Sequence, residues 1–151
     1  MNTQKTPQNE LEDIKVSLKL KLATLWASLM FLYIYVDYFH LYMPGKVADI
    51  QTGRVFEFDI TQSFLLAALA LVTIPALMIF LSVALPAKVN RRANIIIASV
   101  YIPYTLFNLA GEAWMHMVLG AVVEVILLCI IIHYAWKWPR IYQIHNINEA
   151  S

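Results

Sequence analysis

Residues 63–85 read SFLLAALALVTIPALMIFLSVAL, a run with no charged side chain. A helix needs about 20 apolar residues to cross the hydrocarbon core of a bilayer, and this run supplies them. That settles the expected fold class as all-α and integral to a membrane. Composition points the same way. The chain has 151 residues, 60% hydrophobic and 14% charged, with a mean hydropathy of +0.63. A soluble domain carries about 25% charged residues, so this chain has too little polar surface to cover itself in water. The net charge of +1 gives no reason to invoke nucleic acid as a partner.

Working outward, three more runs have spanning length, so the predicted spans are 22–43, 63–85, 93–111 and 116–136. The expectation is an antiparallel four-transmembrane-helix bundle in one domain, 22–136, between a cytoplasmic segment 1–21 and a cytoplasmic tail 137–151. Pro44-Gly45 ends the first span. Asp59-Ile-Thr-Gln62 has the spacing of a capping box for the second. Leu11, Ile14, Leu18, Leu22 and Leu25 recur at helical spacing. They predict a short N-terminal amphipathic helix on the membrane face, or a first span that protrudes into water. The polar first 21 residues show no cleavable signal sequence, so the first span is expected to remain as an anchor.

Orientation follows the bias of Lys and Arg. Lys5, Lys15, Lys19, Lys21, Lys88, Arg91, Arg92, Lys137 and Arg140 fall on one side, against Lys46 and Arg54 on the other. Both termini are therefore expected in the cytoplasm, in a cell inner (plasma) membrane. Trp26, Trp136 and Trp138 on the inner side, with Tyr42 and Trp114 on the outer, read as aromatic belts. The outer loop from Pro44 to Gln62 reads as a folded cap, with a two-stranded turn around Gln51-Thr-Gly53. Pro75 and Pro103 fall inside the second and third spans, where each removes a backbone hydrogen bond. Cys129, the one cysteine, reads as a small buried hydrophobe, and Asn94 as a helix-start residue.

The functional argument starts from Tyr33-Ile-Tyr-Val-Asp37-Tyr-Phe-His40-Leu-Tyr42 near the end of the first span. An acid inside hydrocarbon is costly, which makes it a functional-site candidate. Glu124 is the second, in the fourth span. Asp37 lies six residues below the outer end of its span and Glu124 eight below the start of its own. At 1.5 Å per residue both are roughly 9–12 Å deep. Tyr33, Asp37, His40, Tyr104, Asn108, Glu112, His116 and Glu124 all point to the outer half, while the second span offers only Thr73 and Ser82 and is expected to support the others.

Three readings compete for this constellation. It is a hydrogen-bonded plug holding the helices together; or an outward-facing polar pocket for a small molecule or lipid headgroup; or the acid and base, or the metal ligands, of a membrane-embedded enzyme. His40, His116 and Glu124 are the metal-ligand candidates. Glu112 and His116, however, are four apart rather than the three of Glu-x-x-His. No cofactor is identified by any motif. A proton path would need more acids or histidines in the inner half, which offers only Asn94, Ser99, Ser82 and His133. The leading reading is the pocket, for a small molecule or lipid, in a protein without catalytic activity, with a homo-oligomer or an accessory place in a larger membrane complex as the assemblies it suggests.

The four-span layout, the long first outer loop, the tight last hairpin and the pattern Tyr33-x-x-x-Asp37-Tyr38-x-His40 resemble small four-helix bacterial membrane proteins, DoxX-like in layout. That resemblance implies a bacterial inner-membrane protein and no particular activity. In topology alone, the chain is also similar to the four-helix membrane domain of sterol isomerases, whose pockets use buried acids.

Overall fold

A computed structural model describes residues 14–55, 58–110 and 114–139. The elements are α1 (Leu18–His40), α2 (Lys46–Gln51), β1 (Arg54–Val55), β2 (Phe58–Asp59), α3 (Gln62–Ala84), α4 (Ala87–Phe107) and α5 (Met115–Trp136). Among the described residues, the regular structure is helical apart from one antiparallel pair, in which Arg54 opposes Asp59 and Val55 opposes Phe58.

Among the described residues, three helices, α1, α3 and α5, are long and apolar enough to cross a membrane. The third predicted span, 93–111, does not meet that standard. Its helix begins at Ala87 rather than 93 and takes Lys88, Asn90, Arg91, Arg92 and Asn94 into its first two turns. The charges that read as a loop are helical because nothing there breaks a helix: Pro86 takes the N-cap position and fixes the entry.

Helix starts differ from expectation elsewhere. Ser17 is extended and its hydroxyl accepts from the Leu20 amide at 3.4 Å, so α1 starts at Leu18. Residues 14–17 are not helical, and Leu18, Leu22 and Leu25 belong to the long helix rather than to a separate amphipathic one. The part of that expectation resting on Leu11 lies outside the described residues. α3 is capped by Thr61, whose hydroxyl accepts from Phe64 at 3.1 Å. Asp59 is in β2 instead, 4.0 Å from Arg54. In the loop, Gln51-Thr-Gly53 finishes α2 and enters β1, so it is not the hairpin turn. Gly45 and Gly53 hold φ of 87° and 81°, a region that favours glycine, at the two ends of α2.

α1 packs against α3 on one side and α5 on the other; α4 packs against α5 and touches α3. The buried core recurs at helical spacing on α1, as Leu22, Trp26, Leu29 and Tyr33. It is completed by Met78 of α3, Ala98 and Tyr101 of α4, and Leu128 and Ile131 of α5. α3 buries only Pro75, Met78 and Ser82 and exposes the rest. Cys129 is exposed, contrary to expectation, because α5 turns Leu128 and Ile131 inward. Trp26 has zero exposure and is a core residue, not part of an aromatic belt.

The basic end of the helices is tied by its cations. The Lys19 ammonium donates to the carbonyls of Val83 and Leu85 at 3.0 and 2.7 Å, closing the C-terminus of α3. Arg91 donates to the Ala135 carbonyl at 3.2 Å and lies over the Trp136 ring. Cations at helix C-termini also complement the helix dipole.

Candidate functional site

Polar groups inside the helices fall into two layers separated by a dry one. In the layer nearer the basic end, the Trp26 indole donates to Asn94 Oδ1 at 2.7 Å, and the Ser82 hydroxyl donates to the same oxygen at 3.4 Å. Asn94 Nδ2 donates to Asn90 Oδ1 at 2.6 Å and to the Asn90 carbonyl at 2.9 Å. Asn90 Nδ2 donates to the Ser82 carbonyl at 2.5 Å. That carbonyl is one Pro86 cannot serve, since proline has no N–H to give its i−4 neighbour. Asn94 is thus a buried centre joining α1, α3 and α4, rather than a helix-start residue.

The dry layer is Leu29 of α1, Met78 of α3, Ala98 of α4 and Leu128 of α5, all with zero exposure. Above it, Pro75 likewise strands the Leu71 carbonyl, and the Tyr101 hydroxyl reaches across from α4 to donate to it.

The second polar layer holds the predicted constellation. Tyr33 and Thr105 share a hydrogen bond of 3.3 Å between their hydroxyls. The Thr105 side chain is also hydrogen-bonded to Glu124. So α1, α4 and α5 meet in a Tyr33–Thr105–Glu124 chain, with Glu124 only 4% exposed. Asp37 is close enough for its charge to act on Glu124. It follows Tyr33 by four residues and precedes His40 by three, which puts it on the inward face that both of those buried residues share. Asp37 is nevertheless exposed. Asp37 therefore stands at the exposed edge of the helix packing, near buried Glu124.

α1 and α5 approach closely at Gly120. A β-carbon there would lie 2.6 Å from Val36 Cγ2 and 3.7 Å from Glu124 Oε1. The contact divides the predicted single pocket. On its inner side is Glu124. On its outer side a groove of about 360 Å³ is lined by Phe39, Tyr42, Met43, Trp114 and His116. His116, one turn before Gly120, belongs to that groove, and its Nε2 is buried with no hydrogen-bond partner among the described residues.

Of the remaining candidates, His40 is buried at the end of α1. Tyr104 is half-buried, its ring 5.5 Å from that of Tyr101 in an edge-on contact. Asn108 is exposed at the C-cap of α4. Glu112 lies outside the described residues. Among the described residues, no three His, Cys, Asp or Glu side chains stand together in a way that would hold a metal, so His40, His116 and Glu124 are not brought to one point. Thr105 is the residue that sequence reasoning missed. Its one signal was position: it continues the inward face of Asn94, Ala98 and Tyr101 at helical spacing.

A family model described as a family of unknown function (DUF6326) matches residues 12–143, and the chain belongs to that family. No curated protein and no solved structure matches it.

Proposed function

We propose that the chain is a four-span protein of a bacterial inner membrane, with both termini in the cytoplasm, that binds a small molecule or lipid headgroup at its outer end without transforming it. α4 completes the spans by pairing with α5, its first turns standing in the basic interface. The observation that carries the binding reading is the one-sidedness of the acids. Asp37 is exposed near buried Glu124, while Leu29, Met78, Ala98 and Leu128 seal the helices beneath. An acid left in hydrocarbon costs about 2.5–3.5 kcal/mol on insertion scales, so an exposed Asp37 calls for water or a polar ligand beside it. The seal speaks against a conduit, which needs polar groups through both halves.

A purely structural role is the competing reading, favoured by the bonds that Thr105 makes to Tyr33 and Glu124. Native mass spectrometry of protein extracted gently from its own membrane separates the two. Binding predicts a retained organic species in the unmodified chain that is lost from a folded Asp37→Asn variant. A bare chain in both cases, with only thermal stability altered, would establish the plug and sink the binding reading.

A further inference from the structure

The basic end of the molecule is the other place where charge accumulates beyond what packing uses. Seven cations gather there from three separate stretches of sequence: Lys15, Lys19 and Lys21 before and in α1, Lys88, Arg91 and Arg92 in α4, and Lys137 after α5. The described acids, Asp37, Asp49, Asp59 and Glu124, all lie toward the opposite end. The seven are not equivalent. Lys19 is spent on the α3 carbonyls. Lys21 lies over the Tyr134 ring at 5.7 Å. Arg91 is held by the Ala135 carbonyl and the Trp136 ring. Lys15 is exposed ahead of α1, and Lys88, Arg92 and Lys137 are exposed in α4 and just after α5.

Lys88, Arg92 and Lys137 all stand at the end of the molecule where α4 begins and α5 stops. Lys88 and Arg92 are four residues apart and so share one face of α4. Arg91, between them in sequence, pins that part of α4 to the end of α5, next to Lys137. Trp136, 66% exposed, stands at the same seam with its ring under the Arg91 guanidinium. The seam thus combines three solvated cations with an aromatic side chain of the kind that settles at headgroup level. Basic pockets between helices on the cytoplasmic side of a membrane are suited to anionic headgroups.

We propose that the α4–α5 seam, through Lys88, Arg92 and Lys137, binds the phosphate of an anionic phospholipid. The site is distinct from the one at the opposite end and rests on the spanning reading only in requiring that this end meet the headgroups. Each cation near an anionic surface contributes about 1 kcal/mol, or roughly a fivefold change in affinity, so the set discriminates strongly between anionic and zwitterionic lipid.

The test uses the full-length protein in a neutral detergent, with thermal unfolding followed as phosphatidylglycerol, phosphatidylcholine or inorganic phosphate is added. Phosphatidylglycerol is expected to raise the midpoint saturably, phosphatidylcholine to do so at least tenfold more weakly, and 0.5 M salt to remove most of the difference, since exposed charges are screened at that strength. Lys88→Gln with Arg92→Gln should weaken the apparent affinity for phosphatidylglycerol by about tenfold or more. Arg54→Gln, at the far end, should leave it unchanged. If the double variant does not fold, Lys137→Gln alone should show about a fivefold loss. Equal response to both lipids, or full response in the variants, overturns the proposal. Saturation by inorganic phosphate alone would overturn the lipid assignment in favour of a soluble phosphate. Release of the protein from membranes by alkaline carbonate would instead overturn the spanning reading, whatever the lipid result.

Discussion

Tyr101 of α4 donates its hydroxyl to the carbonyl of Leu71 in α3, the acceptor that Pro75 leaves without an intrahelical donor. A proline inside a helix is usually read as a kink; here it also creates a docking point for a neighbouring helix. The relationship gives a double-mutant prediction. Tyr101→Phe should destabilise the fold by about 0.6–1.7 kcal/mol, the range found for hydrogen bonds between membrane helices. In a Pro75→Ala background the residue-75 amide can serve Leu71, so the same change should cost less. Thermal unfolding of the four proteins in detergent measures the coupling, and an equal cost in both backgrounds would refute it.

The approach of α1 to α5 depends on one missing side chain. With a Gly120 β-carbon only 2.6 Å from Val36 Cγ2, Gly120→Ala forces the helices apart or turns the valine from its rotamer. Overpacking of this kind costs about 1–3 kcal/mol. Val36→Ala should recover most of that loss when combined with Gly120→Ala. A Gly120→Ala chain as stable as the original would show that the crossing has room to spare.

Asn94 serves two donors and gives two hydrogen bonds, all in a buried setting. Asn94→Leu keeps the branching at Cγ and strands the Trp26 indole, the Ser82 hydroxyl and Asn90 together. Leaving a buried donor unsatisfied costs about 1–3 kcal/mol, more than the bond itself contributes. Trp26→Phe should then cost less in the Asn94→Leu background than alone, because its donor is already stranded there. Chemical denaturation with constant m-values across the set would check this, and additive losses would contradict it.

The sequence showed the long helices wherever apolar runs are unbroken, as over 63–85, because spanning length is a property of the run itself. It hid the start of α4, where Lys88, Arg91 and Arg92 suggest a loop although their backbone is helical. Trp26 and Asn94 were misplaced for a related reason. Each is common at interfaces when read alone, and only the packing of α1 across to α4 makes them partners. The equal depth of Asp37 and Glu124 was legible by counting residues. Their division into an exposed acid and a buried one was not, since it depends on how the helices pack around each. Thr105 gave little signal, because a threonine in an apolar helix commonly bonds its own backbone, as Thr73 does to Leu69.

Thr105 is therefore the residue on which plug and pocket can be told apart. Its hydroxyl stands between Tyr33 and Glu124, so Thr105→Val removes both bonds at once and should cost about 1–3 kcal/mol. Tyr33→Phe should cost markedly less once Thr105 is valine, because its partner is already gone. Glu124→Gln, which keeps a hydrogen-bonding group facing Thr105, should be milder than Glu124→Leu. These outcomes are read from thermal unfolding and follow from geometry under either function. The readings diverge at Asp37, which makes no part of the Thr105 chain: if a ligand sits beside it, Asp37→Asn must change what the extracted protein retains while leaving the Tyr33–Thr105 coupling intact. A loss of both together would mean that Asp37 supports the fold rather than a ligand.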